Sequence, residues 1–278
     1  MNTLKQILLT SIFSTIMVLP AQATDSAKEE RWANQVTDFL IDGEPEWLEA
    51  NGKKFLGIYT PASTDKTTGA VILLHGRGVH PDWPQVIQPL RSQLPDKGWA
   101  TLSLQMPVLP NNAYDRDYVP LFKEVPERIN AGLDFLSQQN INNIVLMGHS
   151  LGANMASDFL ARQGDRRVNA FVGIGMMGLK QPAGYRVLDN VASLQKIKLP
   201  VLDIYGSKTN DKVLYTADRR ARVIKRTGHI HSRQIKIDGS NHFFQGYEDI
   251  LLNNIATWLD ETTGRNKQSA SVVNANAN

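Results

Sequence analysis

Apolar residues fall into two kinds of stretch along the chain. The first is a short, mostly apolar run with glycine at or near its end: "GAVILLHGRG" at residues 69–78, "NNIVLMG" at 142–148, "VNAFVGIGM" at 168–176 and "LPVLDIYG" at 199–206. Runs of this length, rich in β-branched residues, predict strands buried on both faces of a parallel sheet. "WATLSLQMP" and "SRQIKIDG" predict two further strands. The second kind carries apolar residues at helical spacing: "WPQVIQPLRSQLPDKG", "EVPERINAGLDFLSQQN", "GANMASDFLARQ", "VLYTADRRARVIKRTG" and "YEDILLNNIATWLDETTG". Pro126 falls near the first turn of its helix, where its missing N–H does no harm. Upstream, "EWLEANGKKFLGIYTPAS" predicts a hairpin, because Asn51-Gly52 tolerates the positive φ of a tight turn.

A hairpin followed by strands alternating with helices implies an open, mostly parallel sheet with helices on both faces. Ligands bind such sheets beyond the carboxyl ends of the strands. Three of those ends carry residues capable of chemistry: His75-Gly76-Arg77-Gly78, Gly148-His149-Ser150-Leu151-Gly152, and the loop after Gly206.

The first residues interrupt this pattern. Lys5 precedes an apolar stretch over residues 7–19, and Ala21-Gln22-Ala23 fits the small-x-small cleavage rule, so residues 1–23 are expected to be an export signal. The stretch is too short, and too interrupted by Ser11, Ser14 and Thr15, for a comfortable membrane span, so no stable membrane anchor is expected. Residues 24–263 then form one domain with a substantial core, and the polar, low-complexity residues 264–278 are expected to be a disordered tail. The expected location is the periplasm or the exterior.

The chain has no cysteine, which excludes a disulfide framework, a thiol nucleophile and a cysteine-ligated metal. Its formal net charge of +3 favours no nucleic-acid partner, and "ADRRARVIKR" reads as a solvated helix face.

The pattern Gly-x-Ser-x-Gly between a strand and a helix has a mechanical basis. The turn is sharp enough to strain the serine backbone, and the flanking glycines relieve clashes with neighbouring chain. It holds the Ser150 Oγ above the sheet edge at a helix N-terminus, suiting a nucleophile. The serine needs a base. Among the six histidines, His75 ends a strand and serves the adjoining loop, His149 points away from the serine, and His229 and His231 precede the last strand. His242 follows that strand, at the edge where Ser150 lies, and is the expected base. The third member must orient the imidazole and offset its charge. Asp211, in the loop after Gly206, is preferred to Asp203, whose place inside a strand suits a buried, hydrogen-bonded carboxylate. The N–H groups of Leu151 and Arg77 are the expected oxyanion donors. His80, Tyr114 and Tyr118 are candidates to line a substrate pocket.

Together "LLHGRG", "GHSLGA", Asp211 and "SNHFF" resemble the α/β-hydrolase superfamily over residues 46–259, in the order Ser, Asp, His that this superfamily uses. With "PVLDIYGS" and "WPQVIQPL", the pattern is similar to an uncharacterised group of exported bacterial α/β-hydrolase-like proteins. One departure stands out: many relatives place the acid three residues after the strand-ending glycine, whereas Asp211 stands five after Gly206. The resemblance implies an α/β-hydrolase fold and a serine hydrolase acting on a small-molecule ester without metal or organic cofactor. The segment between "VNAFVGIGM" and "LPVLDIYG" is too short for a large lid, which favours a small or medium acyl group. Amide or peptide hydrolysis, envelope acyl transfer, and ligand binding without turnover are the alternatives, and the sequence fixes no oligomeric state.

Overall fold

The computed structural model describes residues 23–164, 166–179 and 185–263. The expected export signal, apart from Ala23, and the expected tail lie outside the described residues, as do residues 180–184 of the segment judged too short for a lid.

The hairpin forms as expected. Strands β1 (Glu44–Ala50) and β2 (Lys53–Thr60) pair antiparallel around Asn51 and Gly52, both at positive φ. The remaining strands are β3 (Gly69–Leu74), β4 (Trp99–Leu104), β5 (Ile144–His149), β6 (Val168–Ile174), β7 (Val201–Gly206) and β8 (Arg233–Ile237). They make one sheet of eight strands, in the order β1-β2-β4-β3-β5-β6-β7-β8. From β4 onward every pairing is parallel. The mostly apolar runs follow from this placement: every residue of β3, β4, β5 and β7 is buried, because helices cover both faces.

Those helices are α1 (Ser26–Phe39), α2 (Ile87–Gln93), α3 (Val125–Gln138), α4 (Leu151–Arg162), α5 (Asn190–Leu194), α6 (Asp211–Arg226) and α7 (Glu248–Thr262). One core lies between the sheet and α3 and α4, with Ile72, Leu102, Leu133, Leu146 and Phe159. The other lies under α2 and α7, with Val71, Trp99, Val145, Leu251 and Trp258.

Helix α1 was not expected from the sequence. It has few apolar residues, and only Ala33 and Val36 of these are buried, against Leu56 and Ile58 of β2. Asp25 caps it by accepting the Lys28 N–H at 3.0 Å. Among the described residues no helix is long and apolar enough to cross a membrane.

Candidate active site

The β5–α4 turn places Ser150 above the sheet. Its φ of 56° and ψ of −120° lie where a side-chain-bearing residue is strained, and its N–H is tied to the Ile174 carbonyl at 2.8 Å. The turn is possible only with glycine on either side. A Cβ on Gly148 would run into the backbone of Gly152 and Ala153, and one on Gly152 would run into the Leu74 and His75 carbonyls. Ser150 is thus fixed by backbone packing, as the sequence predicts.

His242 meets it from the loop after β8. Its Nε2 lies 3.0 Å from the Ser150 Oγ, a hydrogen-bonding separation. Burial pushes its pKa down to about 4, and the Asp115 carboxylate opposes this in part. The ring is therefore neutral at pH 7 and can accept a proton. His149, next to Ser150, is engaged with the histidine loop: its Nε2–H donates to the His242 carbonyl at 3.1 Å. Burial, with the nearby His242 charge, takes the pKa of His149 down to about 3.

The third position departs from expectation. The Thr209 hydroxyl, and not a carboxylate, lies at His242 Nδ1, at 3.0 Å. Asp211 is the first residue of α6, and its carboxylate accepts from the Tyr215 hydroxyl at 3.4 Å. An acid in that first turn complements the helix dipole, which accounts for its type without any role at the histidine. Asp203 does not reach His242 either. Its Oδ2 accepts from Arg220 Nε and Gln234 Nε2, each at 2.7 Å, and both it and Arg220 are fully buried. This is the structural carboxylate that its place inside a strand suggested.

Thr209 had a sequence signal. It stands three residues after Gly206, the spacing that many relatives use for the acid, and a search for carboxylates passes over it. The turn is closed by the Thr209 N–H on the Gly206 carbonyl at 3.2 Å, and the Lys208 N–H bonds the Ser240 carbonyl at 2.8 Å. Gly206 has no room for a Cβ, because the Ser240 and Asn241 carbonyls occupy that space. Backbone contacts thus dock this turn onto the histidine loop.

The two expected oxyanion donors are placed by elementary geometry. Leu151 opens α4, so its N–H has no intrahelical acceptor. His75 Nδ1–H donates to the Gly76 carbonyl at 2.8 Å, and its Nε2 accepts the Met106 N–H at 2.9 Å. In a planar trans peptide, anchoring the Gly76 carbonyl turns the Arg77 N–H to the opposite side. Gly76 itself lies against the serine, 3.4 Å separating a Cβ built there from the Ser150 Cβ. Burial lowers the pKa of His75 to about 3, so it works as a neutral brace.

A cleft of about 590 Å³ opens over Ser150 and His242, its apolar lining drawn from Val79, Trp83, Met177 and Phe243. Its mouth carries Arg77 and Lys212, which both pair with Asp115, the Arg77 Nε at 3.0 Å. None of the three expected pocket residues lines it. His80 packs edge-on between Trp32 and Trp83. Tyr118 is buried in the core with its hydroxyl accepting the Leu109 N–H, and Tyr114 stands exposed beside Arg116. An aromatic side chain can fill a pocket, a core or a surface, and sequence type does not choose among them. Among the described residues no cluster of three histidine or carboxylate groups could hold a metal ion.

The family model described as "Protein of unknown function (DUF3530)" matches residues 14–121 and 120–261, and the chain belongs to that family. No curated protein matches the sequence. Several solved structures are similar. Est1E from Butyrivibrio proteoclasticus superimposes with a TM-score of 0.62 at 16% identity, over 80% of this chain and 99% of that one. A dienelactone hydrolase from Anabaena variabilis gives 0.62 at 18% identity, over 80% and 100%. An alpha-beta serine hydrolase homologue from Coxiella burnetii gives 0.58 at 17% identity, over 78% and 99%. The fold is that of the α/β hydrolases.

Proposed function

We propose that this chain hydrolyses a carboxylic ester of small or medium acyl size through an acyl-enzyme on Ser150. The observation that carries this reading is the 3.0 Å approach of His242 Nε2 to a serine Oγ held on a strained, glycine-bounded turn. Strained backbone of this kind clusters at functional sites.

In the first half of the reaction, Oγ forms a bond to the ester carbonyl carbon while its proton passes to His242 Nε2. The negative charge gathering on the carbonyl oxygen is met by the N–H groups of Leu151 and Arg77, which are aimed in advance and need little reorganisation. Collapse breaks the C–O bond to the alcohol, which leaves with the proton held by His242. In the second half, water gives His242 a proton and attacks the acyl carbon. That proton then returns to Oγ as the free acid departs. Val79, Trp83, Met177 and Phe243 offer apolar contact to an acyl or aryl group, and the cleft volume suits a small-molecule substrate. The expected leader at residues 1–23 supports export to the periplasm or beyond, and no nucleic-acid or stable membrane partner is proposed.

One observation favours a second reading, ligand binding with little or no turnover: the group at His242 Nδ1 is uncharged. Amide hydrolysis and acyl transfer would use the same groups, and parallel ester, anilide and peptide assays separate them. The first experiment is labelling of the purified chain with a fluorophosphonate, mapped by mass spectrometry, with Ser150→Ala as control. Labelling at Ser150 followed by turnover of short soluble esters supports hydrolysis. A folded chain that takes no label anywhere leaves the binding reading in its place.

A further inference from the structure

We infer that Thr209 is the positioning residue of His242, standing where a complete triad has its orienting carboxylate, and that its hydroxyl leaves the imidazole two neutral tautomers of which one activates Ser150. The inference rests on the Ser150–His242 reading above and adds to it a residue and a limit on rate.

A carboxylate can only accept a hydrogen bond, so it draws the ring proton to Nδ1 and leaves the Nε2 lone pair for the serine. A hydroxyl both donates and accepts. With the proton on Nδ1, the ring donates to Thr209 Oγ1, and Nε2 accepts the Ser150 O–H. With the proton on Nε2, Thr209 donates into Nδ1, and the ring donates to Ser150 Oγ, which then has no base to take its proton. The heavy-atom separations, 3.0 Å on each side, suit both arrangements. Thr209 cannot drift away to settle the matter, because its turn is bonded to Gly206 and packed on Ser240 and Asn241.

Among the described residues no nearby carboxylate makes up the difference. Asp203 is committed to Arg220 and Gln234, Asp115 pairs with Arg77 and Lys212, and Asp211, which also lines the cleft, meets the Tyr215 hydroxyl at 3.4 Å while Thr209 holds Nδ1. Asp115 is the one acid that raises the pKa of His242, and the value still stands at about 4. Among the described residues the imidazolium formed during attack therefore has no hydrogen-bonded counter-charge, only the more distant field of Asp115. In a complete triad a correctly charged third member is worth roughly 10⁴ in kcat.

The test uses the full chain with ¹⁵N-labelled histidine, as wild type and as Thr209→Asp, Thr209→Val and Thr209→Ser. Two quantities are read from pH 4 to 9: the rate of fluorophosphonate labelling at Ser150, and the His242 ring-nitrogen shifts, which distinguish the tautomers. The wild type and Thr209→Ser should show averaged shifts and a slow labelling plateau. Thr209→Asp should show a single Nδ1–H tautomer, a midpoint moved upward from about pH 4, and a plateau at least tenfold higher. Thr209→Val should label at least tenfold more slowly than the wild type. A Thr209→Val chain with unchanged rate and shifts overturns the inference, whether or not Thr209→Asp folds. So does a folded Thr209→Asp that keeps both tautomers and labels no faster. If Thr209→Asp shows the single tautomer but no variant takes label, Thr209 keeps its positioning role and the hydrolytic reading fails alone.

Discussion

The β5–α4 turn and the loop after β7 face each other across one cleft and are built by different means. Around Ser150 the backbone decides everything: two glycines without room for a Cβ, a positive φ, and an N–H anchored to Ile174. After β7 the backbone decides only where the loop lies, and a side chain decides what it does. There the carboxylates are diverted, Asp203 into a buried pair with Arg220 and Asp211 into a helix start. A neutral hydroxyl is left facing the histidine. The serine turn can thus match its expected geometry in full while the loop facing the histidine supplies no carboxylate to it.

The largest test of this contrast is Asp203→Ala. It leaves the Arg220 guanidinium buried without its partner and should cost about 3–5 kcal/mol, read from urea unfolding. An effect below about 1 kcal/mol would show that this carboxylate is not the structural one. Next comes Gly152→Ala, which forces a methyl group against the Leu74 and His75 carbonyls. A loss of about 3 kcal/mol or more is expected, with Ser150 labelling lost in whatever folds.

A smaller, graded effect should appear with pH. Burial holds His75 and His149 at about 3 and His242 at about 4, below the usual histidine value near 6.5. The unfolded chain binds more protons, so this stability is fully present above about pH 6.5 and is lost as pH falls toward those folded values. Unfolding midpoints measured from pH 7.5 to 5 should therefore decline. His149→Gln should flatten the slope by about one proton, taken from the nucleophile half. Thr209→Asp should flatten it from the other half by raising the pKa of His242. The smallest effect belongs to Asp211→Asn. Both stability, within about 0.5 kcal/mol, and labelling rate should stay near wild type. A large fall in labelling would return Asp211 to the site.

The same contrast explains how much of the molecule was legible in the sequence. Mostly apolar runs and helical spacing gave the strands and most helices, because both report burial directly. Gly148 and Gly152 gave the serine turn, because a backbone requirement excludes other residue types. His242 followed from topology alone. Helix α1 escaped because it buries only two apolar residues, a signal too faint to register. Thr209 escaped despite its spacing from Gly206, because a hydroxyl carries no charge to mark it as the partner of a histidine. The pocket aromatics were misplaced for a related reason. Tyr118 and Trp83 are alike in type, and only packing sends one into the core and the other to the cleft.

The backbone at Ser150 carries a cost of about 1–3 kcal/mol that glycine in its place would not bear. Ser150→Gly should accordingly unfold at a higher temperature than the wild type. The stability that Ser150→Gly would recover is then a direct measure of what this turn gives up to hold a side chain above the sheet edge.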